Sequence, residues 1–276
     1  MRCETIQLKD KFPVLGADGK DPLLTVYQPE TLRDENLRNL RPCVLICPGG
    51  GYGHVSDREA EPIALHFLSE GYLVCVLTYS VAPHKFPSQL REVAAAMELI
   101  HENAASLLCD TRRIAICGFS AGGHLAAHYT NAYDIPEVRD IFPDSKPVQA
   151  TILSYPVITA DSECCHPGSF ENLIGHAYPM SRKELDKFSC DRLVTANTPP
   201  AFLWHTAEDG CVPVQNSLLY AQALAHYGIP FGLHIYPAGG HGLSTVDTLT
   251  NEAIDQATAR AHDWLRQVKT WLKDTL

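Results

Sequence analysis

The stretch IAICGFSAGGHLAA, residues 114–127, decides how this chain is to be read. Ile114 to Phe119 is a short, nearly continuous apolar run, the mark of a strand buried on both faces. It ends in small residues, after which His124, Leu125, Ala126 and Tyr129 continue a helix. Gly118, Ser120 and Gly122 thus form G-x-S-x-G at a strand-to-helix junction. A turn of this kind is strained; it holds the serine oxygen above the sheet, and its glycines avoid clashes with the tight backbone. The pentapeptide alone is weak evidence, since a glycine-rich turn after a strand can also produce it. Its placement gives it meaning.

Working outward, similar apolar runs occur at Cys43–Cys47, Leu73–Thr78, Gln149–Ser154, Phe202–His205 and Gly232–Tyr236. Helical spacing separates them: Leu90, Val93, Ala94, Met97 and Ile100 in one segment, and Ile254, Ala257, Ala261, Leu265, Val268 and Leu272 near the end. Alternating strand and helix predicts an α/β fold with a mostly parallel sheet covered on both faces. Two further stretches, Glu4–Leu8 and Leu23–Tyr27, flank a turn containing Ala17, Asp18 and Gly19 and are expected to open the chain as antiparallel strands. The total is about eight strands. One interval breaks the rhythm, between Pro156 and Pro200, with a helix expected around Arg182–Ser189. It reads as a small cap insertion, at about 157–199, on a single domain spanning 1–276, because long excursions in compact domains are usually functional.

Hydrophobic residues make up 45% of the 276 and charged residues 20%, enough for a large core. The net charge of −10 has the wrong sign for gripping phosphate backbones or anionic lipid, so no nucleic acid or membrane partner is expected. The opening MRCETIQLKDKF has no apolar run after Arg2, and no segment reaches about 18 uninterrupted apolar residues, which predicts a cytoplasmic protein. Of ten cysteines, Cys43, Cys47, Cys75 and Cys117 lie in strand-like runs and read as buried free thiols. Cys164, Cys165, His166 and Cys190 lack the paired CxxC spacing of a zinc site, so no metal is expected.

A serine hydroxyl needs a base to take its proton, and the base needs a carboxylate to hold its tautomer. Following the strand Phe202–His205, TAEDGCVP places Asp209 in a loop before a helix through Leu218, Ala221, Leu224 and Ala225. Glu208 is adjacent and chemically equivalent, but Asp209 directly precedes Gly210 and the Val212-Pro213 entry to that helix. After Gly232–Tyr236, PAGGHGLS places His241 between two glycines. Any one of thirteen histidines means little alone. Serine, acid and histidine in this order, each just after its own strand, are much harder to obtain by coincidence. A site for an oxyanion completes the set: Gly49, Gly50 and Gly51 follow Cys43–Cys47, and Gly50 and Gly51 are the expected amide donors beside that of Ala121. The rival reading of this loop, phosphate binding, lacks both G-x-x-x-x-G-K-[ST] and G-x-G-x-x-G.

The segments CPGGGYG, FPSQL, CGFSAGGHLAA, WHTAEDGCVPVQNS and GGHG resemble the α/β-hydrolase superfamily, particularly bacterial esterases similar to acetyl-xylan esterases. They span residues 43–242. Carried over, the resemblance implies Ser120 as nucleophile, His241 as base, Asp209 rather than Glu208 as orienting acid, and Gly50, Gly51 and Ala121 as the oxyanion hole. It implies removal of acetyl or other small acyl groups from a small-molecule ester, often a sugar, with no cofactor. Pro48 stands where the related HGGG motif has histidine. A peptidase of prolyl-oligopeptidase type and a binding protein on the same scaffold are the alternative readings. Self-association is left open.

Overall fold

The computed structural model describes residues 1–19, 21–30, 40–161, 163–176 and 180–276. Eight strands form one sheet: β1 (Arg2–Gln7), β2 (Leu23–Gln28), β3 (Arg41–Cys47), β4 (Leu73–Thr78), β5 (Cys109–Phe119), β6 (Ala150–Ser154), β7 (Ala201–Thr206) and β8 (Phe231–Tyr236). Their order is β1-β2-β4-β3-β5-β6-β7-β8. β1 and β2 pair antiparallel, as do β2 and β4, and every later pairing is parallel.

The near-continuous apolar runs arise because the central strands feed two cores at once. Along β3, Cys43, Leu45 and Cys47 enter one core while Val44 and Ile46 enter the other. The first core takes Val93 and Met97 of the helix Ser88–Glu102 and Leu125 and Tyr129 of the helix Ser120–Ala132. The second takes Ile63 and Phe67 of the helix Glu61–Leu68 and Trp264, Val268 and Leu272 of the last helix. There Trp204 of β7 stacks on Trp264 with centroids 5.0 Å apart. Cys43, Cys47, Cys75 and Cys117 are buried free thiols.

Local detail departs from the periodicity in three places. The link between β1 and β2 contains a helical turn, Leu8–Lys11, and a 3₁₀ helix, Pro13–Gly19, in place of a simple turn. The helix Gln215–His226 buries Asn216, Ser217, Tyr220, Ala221 and Leu224. Leu218 and Ala225 face outward, so its inner stripe is rotated from the expected one. The last α-helix spans only Asp263–Thr275. Residues 258–262 before it form a 3₁₀ helix, and Asp255 accepts hydrogen bonds from the Thr258 amide and hydroxyl, which compete with continuous α-helix back to Ile254.

Between β6 and β7 lie three short helices, Pro167–Ile174, Arg182–Phe188 and Cys190–Leu193. The second carries a capping box formed by Ser181 and Glu184. Part of the interval read as a cap, Ser162 and residues 177–179, lies outside the described residues. Among the described residues no helix is long and apolar enough to cross a membrane.

Candidate active site

The four loops that follow β3, β5, β7 and β8 leave the sheet at the same edge, because these strands are parallel. They bring Gly50–Gly51, Ser120 and His241 to one cavity of about 290 Å³, with Asp209 buried behind His241.

Ser120 occupies the sharp turn between β5 and its helix, with φ at +52°. For a residue other than glycine this costs roughly 1–2 kcal/mol. The flanking glycines make the turn possible by close approach. A Cβ on Gly118 would lie 2.2 Å from the Gly122 carbonyl oxygen, and one on Gly122 would lie 2.1 Å from that of Cys47. No side chain fits at either position.

His241 Nε2 lies 2.7 Å from Ser120 Oγ, and its Nδ1 lies 2.6 Å from Asp209 Oδ2. An ionised carboxylate only accepts, so Nδ1 carries the proton and Nε2 is left to accept from the serine hydroxyl. The ring packs edge-on against Tyr155, with centroids 5.0 Å apart. Asp209 is itself held in place. Its Oδ1 accepts from the amides of Cys211 and Val212, both at 2.9 Å, and His205 Nε2 lies 3.2 Å from Oδ2. Burial alone would raise the Asp209 pKa. Hydrogen bonds from His205 and His241, with the charge of His241, outweigh burial and hold it well below the usual carboxylate range. Glu208 is exposed and accepts from the Gly239 amide at 3.3 Å, whereas Asp209 is the acid that faces His241.

In the glycine loop, Gly49 donates its amide to Glu59 Oε2 at 2.8 Å. The amides of Gly50 and Gly51 meet no acceptor among the described residues, and that of Ala121 lies in the first helical turn, where no intrahelical acceptor exists. Gly50 has φ at +121°, and a Cβ there would lie 2.1 Å from the His54 carbonyl oxygen, so only glycine allows this turn. The loop is pinned from outside by Asn172, whose amide donates to the Gly51 carbonyl at 2.9 Å, and by Tyr79, whose hydroxyl donates to that of Pro48 at 2.6 Å.

Several residues around the site were invisible to motif reading. His205 is a fully buried strand residue supporting Asp209. His124, also fully buried, accepts from the Tyr52 hydroxyl at 2.8 Å and donates to the Phe188 carbonyl at 2.8 Å, joining the glycine loop to the segment before β7. Burial pulls its pKa down to about 4. His166 caps the helix Pro167–Ile174, its Nδ1 accepting from the Ser169 amide, and it lines the same cavity as Ser120. The signal available for His124 was its place four residues after Ser120. For Glu59 and His205 only the tertiary fold supplies one.

A mostly parallel eight-stranded sheet wrapped by helices, with a strained serine at the tip of a central strand and an acid and a histidine on the two strands that follow the excursion, defines an α/β-hydrolase. The chain belongs to the BD-FAE family, whose model matches residues 24–224. That range includes Ser120 and Asp209, and His241 lies beyond it. The chain is 40% identical over 255 residues to endo-1,4-beta-xylanase B of Butyrivibrio fibrisolvens, covering 88% of this chain and 38% of that protein. It is 28% identical over 232 residues to the acetylxylan esterase of Xylanibacter ruminicola, covering 83% and 46%. It thus spans less than half the length of these two relatives. Among solved structures, the acetyl ester-xyloside bifunctional hydrolase of Caldicellulosiruptor lactoaceticus superposes with a TM-score of 0.83 at 33% identity, over 98% of this chain and 96% of that one.

Proposed function

We propose that the protein is a serine esterase that removes small acyl groups, acetyl foremost, from sugars through an acyl-enzyme on Ser120. The observation that carries this reading is the row Ser120 Oγ, His241, Asp209, with links of 2.7 and 2.6 Å, opening into a small cavity.

In the first step Ser120 Oγ attacks the ester carbonyl carbon while His241 Nε2 takes the hydroxyl proton. Asp209 stabilises the imidazolium that forms. Negative charge collects on the former carbonyl oxygen, toward which the amides of Gly50, Gly51 and Ala121 donate; losing one such donor costs about 2.7–4 kcal/mol of barrier lowering. His241 then gives its proton to the departing alcohol. Water repeats the sequence on the acyl-enzyme, releasing the acid and restoring Ser120.

The lining argues for the substrate class. Gly50, Gly51, His54, Arg58, Glu59 and His166 stand around Ser120 and His241, and among the described residues no aliphatic, phenylalanine or tryptophan side chain lines the cavity. A long acyl chain gains about 0.8 kcal/mol per methylene only where apolar surface has room to receive it, and a cavity of about 290 Å³ leaves little room for one. The names of the xylan-acting relatives support a sugar as the alcohol. His166 belongs to the interval 157–199, which on this reading is a cap shaping the alcohol side.

The test is Ser120→Ala assayed on p-nitrophenyl acetate and acetylated xylose, with fluorophosphonate labelling of the parent enzyme. Loss of both activities with an unchanged melting temperature is expected, together with labelling at Ser120. Retained hydrolysis in the variant ends the assignment.

A further inference from the structure

The mechanism above uses four loops and requires them to keep sub-ångström register, yet the glycine loop and the histidine loop are separated in sequence by nearly the whole sheet. One buried carboxylate connects them. Glu59 is 3% exposed and lies in the polar run DREAE, just after the glycine loop. Its Oε2 accepts from the Gly49 amide at 2.8 Å, and its Oε1 accepts from the Tyr155 hydroxyl at 2.6 Å. The Tyr155 oxygen in turn accepts from the Ser244 amide at 2.9 Å, three residues after His241.

Every donor in this chain is unambiguous. Backbone amides can only donate, so the phenol must use its single proton toward Glu59, and both carboxylate oxygens are acceptors. Burial first, then the charge of Glu59, pushes the Tyr155 pKa up, which keeps that proton on the phenol. Tyr155 also carries the ring against which His241 packs. The backbone at Tyr155 is left-handed, with φ at +37°, and that at Ser244 has φ at +53°, conformations that persist only where surrounding contacts over-determine them. The same carboxylate occupies the Gly49 amide, so that the donors left over are those of Gly50 and Gly51.

We propose that Glu59 is a positioning residue for the esterase reaction, holding the oxyanion loop through Gly49 and the base loop through Tyr155 and Ser244 in one register. The role rests on the esterase reading given above. Glu59 also lines the cavity, but its hydrogen bonds run to Gly49 and Tyr155 and not to Ser120, His241 or Asp209, so it acts through other groups. Because oxyanion donors and a correctly set base matter most in the transition state, loss of register lowers kcat more than it changes KM.

The experiment compares Glu59→Gln with the parent enzyme on p-nitrophenyl acetate, with circular dichroism and thermal melts alongside. The amide keeps the shape but places an N–H₂ where one of two donors now points. A folded variant whose kcat falls at least roughly 30-fold while KM stays within about threefold is the expected result. A folded variant with parental kcat, or with its loss carried by KM, overturns the role. If Glu59→Gln does not fold, Tyr155→Phe decides by the same two criteria, since it removes the link to the base loop and leaves Glu59 on Gly49. An inactive parent enzyme that also resists fluorophosphonate would instead sink the esterase reading itself, so the two failures are distinguishable.

Discussion

Replacing Asp209 by Asn changes one oxygen to nitrogen and should separate catalysis from folding. The carboxylate has two sides. Oδ1 faces the amides of Cys211 and Val212, while Oδ2 faces His241 Nδ1 and His205 Nε2. An asparagine cannot satisfy both sides, and the choice between its two orientations follows from which donors can adapt. The backbone amides cannot, so the asparagine oxygen stays on them. His205 keeps its bond to the Val212 carbonyl at 2.9 Å. His241 can move its proton to Nε2 and accept from the new amide, and in doing so it loses the lone pair that faces Ser120.

The expected cost in stability is therefore about one hydrogen bond to a charged group, roughly 1.5–3 kcal/mol, or a loss of about 3–12 °C in Tm for a chain of this size. The cost in rate is far larger. Fixing the wrong tautomer lowers kcat about 10⁴-fold in a triad of this kind, or about 5.5 kcal/mol of barrier. The assay is kcat on p-nitrophenyl acetate with a thermal melt, and Glu208→Gln as control, which should keep kcat within about threefold. Asp209→Asn with kcat within tenfold of the parent refutes the reasoning, as does a Glu208→Gln variant that loses activity instead. The same substitution has a signature in pH. A carboxylate whose pKa is depressed on folding contributes stability above its unfolded value, and the contribution is lost as pH falls through the folded value. The Asn variant should lack that acid-side loss.

Three other outcomes follow from named contacts. Gly122→Ala drives a methyl group into the carbonyls of Cys47 and Pro48, both within 2.2 Å of its ideal position, and should destabilise the protein by roughly 1–3 kcal/mol or more, read by urea melts. His166→Asn preserves a good helix cap but removes the ring N–H, and should raise KM about tenfold for acetylated xylose while leaving p-nitrophenyl acetate within about threefold; equal effects on both would remove His166 from the alcohol side. Burial lowers the His124 pKa from 6.5 to about 4, so the unfolded chain takes up its proton first and stability falls as pH drops through that window, by about 3 kcal/mol in all. His124→Gln can accept from Tyr52 and donate to Phe188 without titrating, and should flatten the slope between pH 6.5 and 4 in denaturant melts.

What could be read in advance was what is local. β3 to β7 announce themselves because a strand buried on both faces needs apolar residues in succession, and Val44 beside Leu45 records two cores in adjacent letters, whereas β8 at the sheet edge is half-exposed despite its similar run. Ser120, Asp209 and His241 were legible for a related reason: parallel strands put functional loops at their carboxyl ends, so each residue sits a few positions past a recognisable run. The start of the last helix is not legible because Ile254 and Ala257 keep helical spacing, while the Asp255 carboxylate between them binds the Thr258 amide in a turn that periodicity does not report.

Glu59 belongs to the other category. In sequence it is one of three acids in DREAE and looks like a solvated face. Its burial is created by Tyr155, ninety-six positions away, and by the strained loop of Gly49. Tyr155 is equally mute as an aromatic residue beside Pro156, although its hydroxyl joins two loops. His205 reads as a polar letter at the end of an apolar run, and only the fold brings its Nε2 to Asp209. Periodicity reports which face of an element meets the core, and motif spacing reports which loop carries a reacting group. Neither contains the cross-links that hold one loop to another, because those join elements whose separation along the chain is set by topology. The row Ser120, His241 and Asp209 was therefore visible in the sequence, whereas the buried links between its loops became visible only where two loops share a buried proton.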